Sequence, residues 1–203
     1  KSFTAETTLE LTPNPQYPDA SRRPDVTIKA FKDVDAMKLA LQSSSIDMAF
    51  TITPDVAGQL EGQSGIHVKS IDAGYQYFGR PNLVSGPLTD LKVRSALDLG
   101  LDRTAYLTAL KGGTVANGAF AHYYSFAGTE NLTTNPEEAN RLLDEAGWVK
   151  GSDGIRAKEG QQLSLRLVTY AMRPDLSIIM QIMVSQLKEL GIAATTSVVD
   201  DIQ

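Results

Sequence analysis

Residues 163–199 read LSLRLVTYAMRPDLSIIMQIMVSQLKELGIAATTSVV, and the hydrophobic periodicity changes twice along them. Apolar and polar residues alternate over 163–170, and 192–199 is rich in small and β-branched residues, as is typical of strands. From Pro174 to Leu190 apolar residues recur at helical spacing, and a glycine follows. A strand–helix–strand unit of this kind predicts two parallel strands with a right-handed crossover. The stretch therefore indicates an α/β fold.

The remainder of the chain favours the same class. Further strands are predicted at 4–11, 25–31, 46–52 and 67–71. Helices are predicted to begin after Asp33 or Asp35, Thr53, Thr89 or Asp90, Asp102, and Asn135. Strands alternating with helices indicate mixed sheets with flanking helices.

Three features could belong to a ligand site, because aromatic rings give contact area and Arg recognises carboxylates. They are an irregular connection at 74–87, a long loop at 114–134, and a cation before the helix that Pro174 opens. Their side chains are Tyr75, Tyr77, Phe78 and Arg80 in the first, His122, Tyr123, Tyr124 and Phe126 in the second, and Arg173 in the third. Two structural interpretations remain open: the aromatics cover a core edge, and Arg173 pairs with Asp175.

Composition excludes several classes of protein. The 203 residues include 42% hydrophobic residues, 19 Lys and Arg, 24 Asp and Glu, and no Cys. This excludes a disordered chain, a disulfide scaffold and a Cys-ligated metal site. An acidic chain without a basic stripe is a poor nucleic-acid binder. No window has roughly 18 consecutive apolar residues, so no membrane span is predicted.

Enzyme motifs give little support for catalysis. Ser185 and Lys188 match a bare S-x-x-K, but they lie in the third turn of a predicted amphipathic helix, away from further motifs. No nucleophile elbow, phosphate loop or zinc-binding HExxH motif occurs. An α/β hydrolytic enzyme remains an alternative, as does a peptide-sensing module without transport.

Four segments, taken in order, resemble the peptide/nickel-type (family 5) substrate-binding proteins of ABC transporters. They are LALQSSSIDMA at 39–49, PLTDLKVRSALDLGLDR at 87–103, NPEEANRLLDEAGW at 135–148 and QLKELGI at 186–192. Each segment is a weak match alone, but the fixed order makes the combination specific.

The resemblance implies a two-lobed fold of the type II periplasmic-binding-protein kind, present here only in part. Residues 1–78 are expected to belong to lobe one and 79–203 to the first part of lobe two. A small solute would be enclosed between the lobes and delivered to ABC permease subunits. It also implies a periplasmic or extracellular monomer without a cofactor, attached to a membrane only through an N-terminal anchor absent from this chain.

Two departures from the family pattern bear on the site. Ser44 stands where the first signature has glycine, and Arg80-Pro81 precedes Asn82 where an apolar strand is usual. We expect Arg80 to contact a solute carboxylate, with Tyr77, His122, Tyr123, Tyr124 and Arg173 as further ligand-binding residues. The segments at 153–156 and 170–174 are similar to nickel-type members, in which His122 would suit a nickel chelate. A nickel chelate and a short peptide are therefore both retained as candidate solutes.

Overall fold

The computed structural model describes residues 2–4, 7–71, 74, 76–128, 133–170 and 173–200. The chain divides into two compact units, Lys1–Ser70 and Ile71–Gln203. The expected lobe boundary at residue 78 stays a prediction. None of the helices in the described residues is both long and apolar enough to cross a membrane.

Unit 1 combines a small antiparallel sheet with two helices. Its elements are β1 (Ser2–Thr4), β2 (Thr8–Leu11), a 3-10 turn (Ala20–Arg22), β3 (Val26–Lys29), α1 (Val34–Gln42) and α2 (Pro54–Leu60). The strands pair in the order β1-β2-β3, with Leu9 opposite Ile28. The predicted strand 4–11 is thus two strands of a hairpin rather than one.

Two predicted strands of unit 1 are wrong. Neither 46–52 nor the described segment 67–71 forms a strand, and no described strand pairs with either. Thr51 has a φ of 60°, in the left-handed region, which interrupts an extended run. An apolar pattern favours a strand, but the strand forms only where a partner supplies backbone hydrogen bonds.

The described residues of unit 2 form four helices and two small sheets. Its elements are a 3-10 turn (Pro87–Thr89), α3 (Leu91–Gly100), α4 (Arg103–Leu110), α5 (Pro136–Glu145), β4 (Val149–Lys150), β5 (Arg156–Lys158), β6 (Gln161–Gln162), β7 (Ser164–Tyr170), α6 (Pro174–Glu189) and β8 (Ala193–Val199). Strands β4, β5 and β6 are antiparallel, whereas β7 and β8 are parallel, from Ser164 opposite Ala193 to Tyr170 opposite Val199. The predicted parallel strand–helix–strand unit is confirmed.

Side-chain caps explain where α3, α4 and α5 begin. The side chains of Asp90, Asp102 and Asn135 each accept a hydrogen bond from a backbone N–H of the first turn. These caps satisfy donors that have no partner inside a helix. The predicted helix starts at these positions are confirmed.

The core of unit 2 lies where α3, α5 and α6 pack with the strands. Its buried members are Val93, Ala96, Ala139, Leu143, Ala146, Trp148, Leu163, Leu187, Leu190 and Ile192. Gly100 permits a close approach of Leu190 to α3, since a Cβ at Gly100 would lie 2.5 Å from Leu190 Cδ1. This packing supports β7 and the C-terminal part of α6.

Candidate functional site

The connection after Ile71 touches the start of α6. The Tyr77 hydroxyl donates a hydrogen bond to Oδ2 of Asp175, which lies in the first turn of that helix. Tyr77 remains 47% exposed, so its ring is accessible to a ligand. Partial burial, the hydrogen bond to Asp175 and the charge of Asp175, in that order, raise the pKa of Tyr77 to about 12.

Arg173 lies beside this pair. It occupies the N-cap position of α6, is half-buried, and makes no side-chain capping bond to the helix. Its positive charge acts on Tyr77 in the sense that lowers the pKa, with a smaller effect than Asp175. The structure thus brings the predicted Tyr77 and Arg173 into one neighbourhood.

The same connection approaches the aromatic loop through Gly74. Gly74 has a φ of +69°, and a Cβ added there would lie 2.1 Å from Tyr123 Oη. Only glycine therefore allows the Tyr123 hydroxyl to reach the backbone of the connection. Tyr123 therefore lies against the segment that also carries Tyr77, although 46 positions separate the two tyrosines (123 minus 77).

The aromatic loop forms a chain of ring contacts. Phe120 meets Phe126 edge-on at 5.1 Å, and Phe126 stacks on Tyr124 at 5.1 Å. Tyr124 contacts Tyr123 at 4.7 Å between centroids, and Tyr123 contacts His122 at 5.8 Å. Four of these residues, Phe120, Tyr123, Tyr124 and Phe126, are between 46% and 64% exposed. The loop therefore presents aromatic surface to solvent rather than covering a core edge.

Arg80 is exposed, and its guanidinium makes no hydrogen bond or ion pair to any residue that the structure describes. Within the described residues, no hydrogen bond or ion pair joins it to Tyr77, Arg173 or the aromatic loop. Its expected role stays a prediction. Tyr75, another predicted candidate, lies outside the described residues.

Sequence reasoning missed two participants. One is Asp175, which the sequence suggests only as a partner of Arg173 and which accepts a hydrogen bond from Tyr77, 98 residues away in sequence. The other is Gly74, for which the sequence indicates only an irregular connection. No local pattern identifies either role, because both depend on contacts between distant segments.

Arg156 is a structural residue. It is 2% exposed, and Nε donates to Leu190 O at 2.8 Å. Nη1 donates to Trp148 O at 2.6 Å and to Asp144 Oδ1 at 2.5 Å, and Nη2 donates to Asn140 Oδ1 at 2.7 Å. The guanidinium thus ties α5 to the residue before β4 and to the C-cap of α6 inside unit 2.

No group of three or more metal-binding side chains occurs in the part of the chain that the structure describes. A nickel ion arriving as a chelate would not require such a group, because the chelate already supplies ligands. His122 therefore remains a predicted contact for a chelate and not a metal site.

Aromatic rings for contact area, with a few polar groups for orientation, are the usual composition of a small-molecule binding site. The family model for "Bacterial extracellular solute-binding proteins, family 5 Middle" matches residues 1–203. The chain belongs to this family, as the ordered sequence segments predicted.

The relatives agree with this assignment. The oligopeptide-binding protein AppA of Bacillus subtilis (strain 168) is 28% identical over 188 residues, covering 86% of this chain and 33% of AppA. The structure of B. subtilis AppA in complex with a nonapeptide matches with a TM-score of 0.75 at 27% identity, over 98% of this chain and 41% of that one. A nickel ABC transporter structure from Bacillus halodurans matches with a TM-score of 0.69 at 30% identity, over 98% of this chain and 42% of that one.

These matches confirm the predicted fold class. The chain spans about a third of the AppA sequence, so it corresponds to part of the mixed α/β architecture of its neighbours. By name these relatives are binding and transport proteins, which points away from an enzyme.

Proposed function

We propose that the complete protein is an extracytoplasmic receptor of an ABC importer. It captures a short peptide or a nickel chelate between its two lobes and delivers it to the permease. The family match over residues 1–203 carries this proposal. Binding requires no cofactor, and the receptor acts as a monomer.

The site residues in this proposal are Tyr77, Arg80, His122, Tyr123, Tyr124 and Arg173. Two observations support grouping most of them: Gly74 brings Tyr123 to the connection, and Asp175 brings Tyr77 to the start of α6 beside Arg173. Exposed rings supply apolar contact, and the guanidinium groups supply charge-assisted hydrogen bonds to carboxylates.

Calorimetry on the full-length protein tests the proposal. Nickel–histidine and a series of di- to pentapeptides are titrated separately, and native mass spectrometry identifies any solute retained during purification. We expect saturable one-to-one binding of one of the two solute classes. Absence of binding to both classes would contradict the proposal.

Arg80→Ala tests the carboxylate contact within the same assay. Loss of a charge-assisted hydrogen bond should weaken binding by about tenfold or more. Arg22→Ala is the matched control, because Arg22 is an exposed arginine of unit 1 outside the proposed site. Unchanged affinity in Arg80→Ala would remove Arg80 from the site.

A further inference from the structure

The Tyr77 hydroxyl has one proton, and the structure assigns it to a partner. A phenol can donate one hydrogen bond and accept others. Tyr77 donates to Oδ2 of Asp175, so its proton is already in use. Toward any further group, Tyr77 offers only oxygen lone pairs. It can accept from an N–H or O–H, but it cannot donate to a carboxylate without giving up Asp175.

Asp175 has the larger effect among the charged groups that act on this oxygen. Asp175 affects Tyr77 through both its hydrogen bond and its charge, and each effect exceeds the opposing effect of Arg173. Tyr170, the other titratable group that acts on Tyr77, also raises its pKa. The electrostatic environment of the phenol oxygen therefore favours a hydrogen-bond donor or a cation over an anion.

The backbone position of Asp175 reinforces this preference. Asp175 lies in the first turn of α6, a helix of 16 residues. A carboxylate there already compensates the positive end of the helix dipole, so this helix start attracts a second anion less strongly. Asp175 is half-buried, and its carboxylate accepts the hydrogen bond from the Tyr77 hydroxyl.

We infer that the Tyr77–Asp175 pair is a specificity determinant that accepts a hydrogen bond from an N–H donor of the solute, above all an ammonium group. This inference rests on the proposed function, which puts Tyr77 at the solute site. With a carboxylate held by Arg80, the pair selects a solute carrying an ammonium at one point and a carboxylate at another. A short peptide with a free amino terminus fits this chemistry, whereas a chelate presenting only carboxylates does not.

Two peptides that differ at the amino terminus test the inference. Trialanine and N-acetyltrialanine share their length and their carboxylate, and acetylation removes the ammonium charge. Calorimetry measures their affinities for the full-length protein and for Asp175→Asn, which keeps the side-chain shape and removes the charge. In the unaltered protein acetylation should weaken binding about tenfold, the effect of one charge-assisted hydrogen bond. In Asp175→Asn the ratio of the two affinities should fall below about threefold.

Glu137→Gln is the matched control. Glu137 is an exposed acid in the first turn of α5. Its substitution also removes one negative charge from the first turn of a helix, but at a distance from the Tyr77–Asp175 pair. This variant should keep the tenfold ratio. Asp175→Ser provides a second variant if Asp175→Asn does not fold, because serine is well tolerated near a helix start.

The outcomes separate the two proposals. An undiminished ratio in both Asp175 variants would overturn the inference and leave peptide binding intact. Binding of neither peptide to the unaltered protein, together with failure of the longer peptides, would overturn peptide capture and the inference with it. A ratio that falls in the Asp175 variants and persists in Glu137→Gln supports the inference.

Discussion

Ser44 departs from the family pattern at a position where the backbone is left-handed, a conformation that is strained for serine. The first signature has glycine here, and the structure explains why: Ser44 follows the end of α1 with a φ of 56°. Its N–H bonds Leu41 O, and the next N–H bonds Ala40 O, which closes the last turn of the helix. Glycine adopts this left-handed conformation without the strain that a Cβ introduces.

Ser44→Gly should therefore stabilise the protein by about 0.5–1 kcal/mol. Denaturant unfolding of the variant and the parent protein measures the difference. Ser43→Gly is the control, because Ser43 has a φ of −85° and its hydroxyl bonds Ala40 O. That control should be neutral or destabilising. A Ser44→Gly protein no more stable than its parent would show that the left-handed turn is not strained.

Arg156 illustrates a charged residue whose role is structural. Its guanidinium makes four hydrogen bonds from a side chain that is 2% exposed, two of them to backbone carbonyls. Lysine offers one ammonium in place of a planar group with five N–H donors, so it cannot replace them all. Several buried acceptors would be left without partners.

Arg156→Lys should lower the free energy of unfolding by about 3 kcal/mol, as expected when a buried charged network is broken. Arg166→Lys is the matched control, because Arg166 is exposed on β7. It should change stability by less than about 0.5 kcal/mol. Equal effects of the two substitutions in denaturant unfolding would contradict the structural role of Arg156.

Among the elements, α4 and α6 are joined by a polar contact. The Tyr106 hydroxyl donates to Gln186 Oε1 at 2.8 Å, and Gln186 Nε2 donates to Asp102 O at 3.1 Å. Burial is the largest cause that raises the pKa of Tyr106, from 10.0 to about 12, against an opposing effect of Arg103. The folded protein therefore keeps a proton between pH 10 and 12 that the unfolded chain releases.

Stability should accordingly fall as pH rises through this window, because the unfolded state binds fewer protons there. Tyr106→Phe should cost about 1 kcal/mol at pH 8, through the lost hydrogen bond, and should show a shallower decline toward pH 12. Unfolding free energies at pH 8 and near pH 11.5 provide the comparison. An identical decline in both proteins would show that Tyr106 ionises equally in the folded and unfolded states. Tyr106→Phe should still lose some stability over this pH range, because the pKa of Tyr77 is also raised to about 12 and Tyr77 contributes in the same way.

Across the whole molecule, features set by neighbouring residues could be predicted from the sequence, whereas pairings between distant segments could not. The β7–α6–β8 unit and the caps at Asp90, Asp102 and Asn135 follow from periodicity and neighbouring residues. Strand formation at 46–52 depends on a partner elsewhere, which no local pattern reveals. The short strands β4–β6 have two or three residues each, too few for a period to show.

The candidate site divides in the same way. Aromatic and cationic residues in irregular segments identified Tyr77, Tyr123 and Arg173 from sequence. The pairing of Tyr77 with Asp175 joins residues 98 positions apart, and the contact at Gly74 is visible only once the backbone is placed. The residue types suited to ligand binding can therefore be proposed from sequence. Which group accepts the Tyr77 proton can be identified only from the fold.

The two compact units differ in how much apolar surface they bury. In the described part of unit 1 the buried hydrophobic residues are Val56 and Leu60, whereas unit 2 has a ten-residue core. Val26 and Ile28 on β3 stay 45% and 52% exposed. Local opening costs less free energy where fewer apolar contacts must be broken. The 203-residue chain should therefore open more readily in unit 1 than in unit 2.

Hydrogen exchange with mass spectrometry measures this difference directly. Amides of α2 and β2 should exchange at least about tenfold faster than those of α5 and α6, after correction for intrinsic rates. Residues 8–11 and 54–60 are compared with 136–145 and 174–189, so that a strand and a helix of unit 1 are both sampled. Equal protection in the two units would mean that they unfold as one cooperative body. Faster exchange confined to unit 1 would instead show that its sheet and helices are held mainly by hydrogen bonds, as its sparse core predicts.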